Sequence, residues 1–381
     1  MNTADSNKIS QLLESHGYQP IEFPKDFKRT AHVMKEFEII GKSDIVIVNT
    51  CCIRHNAEER ALGYISSLKV LKKFNPNITL AVCGCIPKEE GIDFKKDFPH
   101  IDLVFGPGES EKLEEFISSS TILRKATDGP PSPYNGEGLN KPSLRSGEGG
   151  PREGRAVGEV YLTIMTGCDN FCSYCIVPFV RGREKSRPIQ EVICEFKGLI
   201  DAGAKDITLL GQNVNSYKDG ITNLFHKIGE ILKDREDVIV RFMTAHPKDM
   251  SDDFIKAIAK YDWAIKEIHL PLQSGDDEVL KNMNRKYTVE QFKEIINKIR
   301  GLMPSARLTT DIIVGFPGET RKQFENTLRA IKEIGFHMVN MAAYSPRPKT
   351  AAASMDNQID ETEKSKRFEE IKEWVRKYRR K

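Results

Sequence analysis

Apolar positions along the chain fall into short continuous runs separated by stretches of helical period. In the first 126 residues the runs are Asp44-Ile45-Val46-Ile47-Val48, Ile78 to Cys83 and Ile101 to Phe105. Each ends in turn-forming residues: Asn49-Thr50-Cys51-Cys52, Gly84-Cys85 and Gly106-Pro107-Gly108. Asp5 to His16 puts Ile9, Leu12 and Leu13 on one face of a helix, and a second helix is expected from about Asn56 to Lys73. Buried strands alternating with helices predict a parallel sheet covered on both faces.

From Glu159 the alternation repeats six times, with strands expected near 159–165, 206–210, 238–243, 266–271, 307–314 and 337–343. Pro188 opens a helix with Ile189, Val192, Ile193, Phe196 and Leu199 on a single face, and Gly203 closes it. Thr288 with Gln291, and Thr320 with Gln323, read as capping boxes ahead of apolar stripes. Six βα units with right-handed crossovers predict a parallel sheet curling into a partial (βα)6 barrel. Glu361 to Arg380 reads as a last helix, with Phe368, Ile371, Val375 and Tyr378 on one face and a basic tail from Arg376 to Lys381. Asp128 to Arg155 is dense in Gly, Pro and Ser and cannot bury enough apolar surface to offset its chain entropy. The expected fold class is therefore α/β: an N-terminal parallel-sheet domain (1–126), a flexible linker (127–157), a partial barrel (158–355) and a C-terminal helix with its tail (356–381).

A chain of 381 residues has room for two domains with real cores. No apolar run approaches membrane-span length and the N-terminus has no signal-peptide pattern, so a cytoplasmic protein without a membrane partner is expected. There, eight cysteines read as thiols and metal ligands rather than a disulfide framework. A net charge of +3 is too small to announce nucleic-acid binding, which leaves that question to local clusters.

The densest chemistry is Met165-Thr166-Gly167-Cys168-Asp169-Asn170-Phe171-Cys172-Ser173-Tyr174-Cys175. A closed zinc or iron–sulfur site takes four protein ligands. Three close cysteines, with no His in the next dozen residues, suggest instead a cluster with one iron left open. A zinc knuckle completed by a distant His or Cys is the alternative, but a loop at the carboxyl end of the first barrel strand suits a catalytic cluster better. Cys51 and Cys85, at two strand ends, form a plausible half of another metal site, while Cys52 and Cys83 read as small buried hydrophobes. Cys194, inside a helix, reads as packing. Arg181, Arg183, Lys185 and Arg187 fall at every second position, so an extended loop would align four cations against a phosphate backbone; a solvated charged loop explains them equally well. Gln212, Asn213 and Asn215, then His246, then Gln273 and Ser274, then Gly315 and Gly318 follow successive strands. Singly these are ordinary turn residues, and their recurrence on one rim is the signal.

The CxxxCxxC spacing, with an aromatic before its last cysteine, is similar to the radical S-adenosylmethionine (SAM) signature. With Asn49-Thr50-Cys51, Gly84-Cys85, Tyr174 to Pro188, Leu210 to Tyr217 and Tyr344-Ser345-Pro346-Arg347-Pro348, the chain resembles the methylthiotransferases, and within them the MiaB type. That type adds a methylthio group to C2 of N6-isopentenyladenosine beside the tRNA anticodon; relatives act on threonylcarbamoyl-adenosine or on an aspartate of a ribosomal protein. The resemblance implies a 4Fe–4S cluster on Cys168, Cys172 and Cys175 that cleaves SAM. It also implies a second 4Fe–4S cluster, for which Cys51 and Cys85 match two of three ligands. Gln212, Asn213, Gln273, Ser274, Gly315 and Gly318 would contact SAM, and Arg181, Arg183, Lys185 and Arg187 the RNA. The expected partners are tRNA and a reductant such as flavodoxin or ferredoxin, with the chain a monomer. Family members open on a strand ending in Cys-x-Met-Asn and close with a β-rich RNA-binding TRAM domain. This chain begins Met1-Asn2-Thr3 and ends in the basic tail, so the first auxiliary ligand and that domain are expected to be missing. A truncated relative that keeps one cluster and binds RNA without turnover is the non-enzymatic alternative.

Overall fold

The computed structural model describes residues 2–21, 40–52, 55–89, 91–119 and 159–378; the expected linker and the last three residues of the tail lie outside them. The chain divides into two compact units, 1–147 with 179–181, and 148–178 with 182–381.

In the first unit, β1 (Ile45–Thr50), β2 (Thr79–Gly84) and β3 (Leu103–Phe105) form a parallel sheet in that order, with Ile45 opposite Thr79 and Ala81 opposite Leu103. The helices are α1 (Asn2–Ser15), α2 (His55–Ser67), α3 (Lys69–Phe74), α4 (Phe94–Asp97) and α5 (Ser110–Ser119). Strand β2 is central and buried along its whole length, which explains its unbroken apolar run. One sheet face packs Ala81, Cys83 and Phe105 against Ile9 of α1 and Leu113 and Ile117 of α5. The other packs Ile78 and Leu80 against Leu68 and Leu71. The single helix expected from Asn56 to Lys73 is two, because the chain tightens at Leu68, whose N–H is shared between the Tyr64 and Ile65 carbonyls at 3.2 Å each.

In the second unit, β4 (Val160–Thr163) is followed by an antiparallel pair, β5 (Met165–Thr166) with β6 (Lys185–Ser186). The sequence continues α6 (Ile189–Asp201), β7 (Asp206–Leu210), α7 (Ile221–Ile231), β8 (Ile239–Phe242), α8 (Asp252–Lys260), β9 (Glu267–His269), α9 (Asp277–Asn282) and α10 (Val289–Leu302). It ends β10 (Arg307–Val314), α11 (Arg321–Ile334), β11 (Met338–Ala343) and α12 (Glu361–Tyr378). Strands β4-β7-β8 and β9-β10-β11 make two parallel sheets. They are linked just before β9, where the Val240 N–H donates to the Trp263 carbonyl at 2.8 Å and the Ile265 N–H to the Val240 carbonyl at 3.0 Å. Six parallel strands thus follow one another in an arc, each of the last five after a helix. No pairing among the described residues joins β4 to β11, so the barrel is partial, as expected.

The helices begin where the local signals put them. Thr288 and Thr320 each cap a helix reciprocally with the glutamine three residues on, and Gly335 ends α11 in the left-handed conformation. Phe225, Phe242, Phe254 and Trp263 lock α7 and α8 onto β8, the Phe225 and Phe254 rings meeting edge-on at 5.0 Å. Among the described residues no helix is long and apolar enough to cross a membrane.

Candidate active site

The cysteine loop leaves β5 at the carboxyl end of β4. Gly167 makes this exit possible: its φ is +76°, and a Cβ there would stand 2.1 Å from the Arg183 carbonyl oxygen. The Cys168 N–H donates to the Gly182 carbonyl at 3.2 Å, closing the loop against the strand pair. Ser173 anchors the far side, its N–H on the Met283 carbonyl at 3.0 Å and its hydroxyl on the Asn282 carbonyl at 2.7 Å. Asn284 donates to the Phe171 carbonyl at 2.8 Å and holds that residue at a positive φ of 45°. Long-range contacts therefore fix the loop at both ends.

The three thiols lie close together, and Cys172 acts electrostatically on both Cys168 and Cys175. Burial pushes Cys175 up to about 12, with Cys172 and Cys168 adding to the effect, and burial likewise raises Cys168. Each sulfur has an N–H donor: Asn170 Nδ2 at 3.4 Å from Cys168, Arg285 Nη1 at 3.4 Å from Cys172, and the Val177 backbone beside Cys175.

Around the rim, Asn213 donates from Nδ2 to Asp249 at 2.7 Å, while its Oδ1 is buried without a partner. Gln212 and Gln273 likewise each bury an Oε1 that nothing among the described residues satisfies. Gln273 sits at a φ of +70°, held by its N–H on the Asp311 carbonyl and its carbonyl on the Ile313 N–H. Unsatisfied buried acceptors are costly in a finished fold and are expected where a ligand brings donors. Asn215 exchanges two 2.9 Å bonds with the His246 backbone, and burial followed by the charge of Arg285 pushes His246 down to about 2. It is a neutral ring near the loop.

Three of the residues expected to contact the cofactor also make contacts inside the chain. Ser274 is fully buried, accepting from the Asp276 N–H at 3.3 Å and meeting the Thr327 hydroxyl at 3.4 Å. The space a Cβ would occupy at Gly315 is taken by Lys364, and the Gly318 N–H donates to the Asn357 carbonyl at 2.8 Å. These glycines admit the C-terminal segment.

The row of four cations does not form. Arg181 packs with the first unit, its side chain 3% exposed and its Nη2 3.0 Å from Asp5. Arg183 pairs with Asp169 at 2.8 Å and lies over the Phe171 ring, and Arg187 pairs with Glu195 at 2.6 Å. Lys185 is exposed. Glycine at 182, with a φ of +77°, and the two-residue length of β6 break the extended geometry that a single row needs.

In the first unit, Thr50 ties the two strand ends together. Its hydroxyl donates to the Cys83 carbonyl at 2.6 Å, and its carbonyl accepts from the Cys85 N–H at 3.1 Å. A hydrogen bond from Cys52 holds Cys85 below the usual thiol range, burial opposing and Arg181 assisting. The same contact raises Cys52. Burial pushes Cys83, in the core, up to about 12.

Two family profiles match: the Radical SAM superfamily over residues 162–331 and the uncharacterized protein family UPF0004 over residues 1–106. The tRNA-2-methylthio-N(6)-dimethylallyladenosine synthase of Clostridium perfringens (strain SM101 / Type A) is 40% identical over 385 residues, 99% of this chain and 80% of that protein. Its namesake from Clostridium novyi (strain NT) is 42% identical over 391 residues, 98% and 78%. The chain belongs to this family of radical SAM methylthiotransferases. The fold of this methylthiotransferase is shared with the radical SAM methyltransferase TsrM from Kitasatospora setae (TM-score 0.67, 16% identity, 92% of this chain and 72% of that one). It is shared also with the cobalamin-dependent radical SAM enzyme OxsB (TM-score 0.55, 14% identity, 98% and 53%).

Membership implies a 4Fe–4S cluster and SAM, and the second unit of the methylthiotransferase fits both. Three thiols with an N–H donor apiece are what a cluster held by three cysteines requires. No three His, Cys, Asp or Glu among the described residues, the thiol trio included, are already closed up as a metal-holding group. The amide oxygens of Gln212, Asn213 and Gln273 are acceptors for an ammonium, ribose hydroxyls or an adenine amino group. In the first unit the fit is incomplete. Cys51 and Cys85 have no third ligand in metal-binding geometry among the described residues, and Cys52 is hydrogen-bonded to Cys85. Arg285, Asn284 and Asn170 escape sequence reading, because none is a metal-ligand type and two of them reach the loop from over 100 residues away.

Proposed function

We propose that the chain methylthiolates C2 of N6-isopentenyladenosine, the dimethylallyl-bearing adenosine beside the tRNA anticodon. The observation that carries this reading is 40% identity across 99% of the chain to a synthase of that name. The thiol trio and the unsatisfied rim acceptors support it from the chemistry side. The cluster and SAM, when bound at Cys168, Cys172 and Cys175, would supply one-electron chemistry able to act on an unactivated adenine carbon.

The chain's own part is to hold and orient. Cys168, Cys172 and Cys175 fix the cluster, and Asn170, Arg285 and Val177 orient their sulfurs. Gln212, Asn213 and Gln273 take the donors of SAM. Exposed Lys185, with Arg183 and Arg187 that are each ion-paired inside the chain, would face RNA phosphate at the rim. Arg181 is committed to Asp5. Cys51 and Cys85 are assigned to a second cluster only as two members of a ligand set, and no step is derived through it. A flavodoxin- or ferredoxin-type reductant, a monomeric chain and a cytoplasmic setting complete the proposal.

Nucleoside analysis of tRNA from cells with and without the gene tests it. N6-isopentenyladenosine is expected to accumulate, and its 2-methylthio form to vanish, in the cells lacking the gene. An unchanged isopentenyl pool, with loss of a methylthiolated threonylcarbamoyl-adenosine instead, would reassign the substrate.

A further inference from the structure

Arg285 lies in the turn between α9 and α10 and is 7% exposed. Its guanidinium donates from Nε to the Tyr287 hydroxyl at 2.8 Å, from Nη2 to the Pro271 carbonyl at 2.8 Å, and from Nη1 to Cys172 Sγ at 3.4 Å. The Tyr287 ring, 5.1 Å from the guanidinium carbon, adds a neutral contact. Among the described residues no carboxylate pairs with it. Buried charges are normally paired, and an arginine cannot escape by losing its proton. Among the described residues, this cation is met by neutral groups and a cysteine sulfur.

We propose that Arg285 is the built-in counter-charge of the cluster held by Cys168, Cys172 and Cys175, a positioning residue that makes the cluster easier to reduce. The inference rests on the reading that this trio binds the cluster. Three thiolates and the cluster carry net negative charge, which grows by one on reduction. A fixed cation hydrogen-bonded to a ligand sulfur therefore favours the reduced form. The same side chain grips the Pro271 carbonyl, two residues before Gln273, so it also sets the cluster loop against the strand exit that carries a SAM acceptor.

The test is an EPR-monitored redox titration of the reconstituted full chain, following the signal that changes on SAM addition, with Arg285→Met and Arg285→Lys and with iron counted in each. At the wild-type midpoint, Arg285→Met is expected to lower the reduced-to-oxidised ratio at least tenfold, about 59 mV for one electron, with Arg285→Lys between the two. Iron lost from Arg285→Met alone, with Arg285→Lys loaded and close to wild type in midpoint, also supports the charge. An unchanged midpoint in Arg285→Met with full iron overturns it. So do equal shifts in both variants, or loss of iron from both while folded, because lysine keeps the charge. Absence of iron from the wild-type trio would instead be a failure of the cluster reading itself.

Discussion

Replacing Cys172 by alanine is expected to strip about four irons from the chain and to cut SAM-derived 5′-deoxyadenosine release by roughly a thousandfold or more, about 4 kcal/mol in barrier. The effect should be all-or-none, because the three cysteines act as a unit and two thiolates cannot hold a cluster that needs three. Cys172 is the sharpest member to remove. It is buried, and its loss takes the sulfur from Arg285 as well as a ligand from the iron. Cys194, exposed on α6, is the control: its alanine variant should keep both iron and turnover. Iron analysis with quantification of 5′-deoxyadenosine under reducing conditions checks both.

The second large effect is on stability. Arg367 of α12 reaches the turn after β10, where its Nη1 stands 2.9 Å from Glu319 Oε2 and 2.7 Å from the Glu319 carbonyl oxygen. The Gly315 N–H donates to the same carboxylate at 2.7 Å, and the side chains of Glu319 and Arg367 are 0% and 7% exposed. Arg367→Met should cost about 3–5 kcal/mol at neutral pH, because it leaves a buried carboxylate without its cation. Burial already holds Glu319 above the usual carboxylate range, outweighing the Gly315 N–H and Arg367. A folded pKa raised above the unfolded one gives stability that is complete below the unfolded value and is lost as pH rises through the folded value. Without Arg367 the folded value rises further. The variant's deficit should therefore shrink as pH falls below about 4 and be smallest near about pH 3, where Glu319 is largely protonated in both states. Denaturant unfolding of both proteins across the carboxylate range measures this, and a deficit independent of pH would show that Glu319 does not carry it.

This pair shows what could be read along the chain and what could not. The strands were legible because burial on both faces writes continuous apolar runs, as in β2 and β10. The capping boxes at Thr288 and Thr320 were legible because both partners lie within four residues. The thiol trio was legible for the same reason: its ligand spacing is local. Gly315, Gly318 and Ser274 read as cofactor contacts from the sequence, where strand-end glycines and hydroxyls serve ligands and packing alike. Only the fold reveals that Lys364, Asn357 and Thr327 occupy those places. Arg181 carries the same alternation as Arg183 and Lys185, yet Asp5, 176 positions earlier, withdraws its charge. Arg285 is the extreme case, since one of its three partners is a sulfur 113 residues away.

The most direct measurement is electron–nuclear double resonance on the reduced, reconstituted chain with SAM labelled at its amino nitrogen. A hyperfine coupling between that nitrogen and the cluster on Cys168, Cys172 and Cys175 is expected, lost in the Cys172→Ala variant. A fully loaded cluster with no coupling to the labelled nitrogen would contradict an iron left open for SAM.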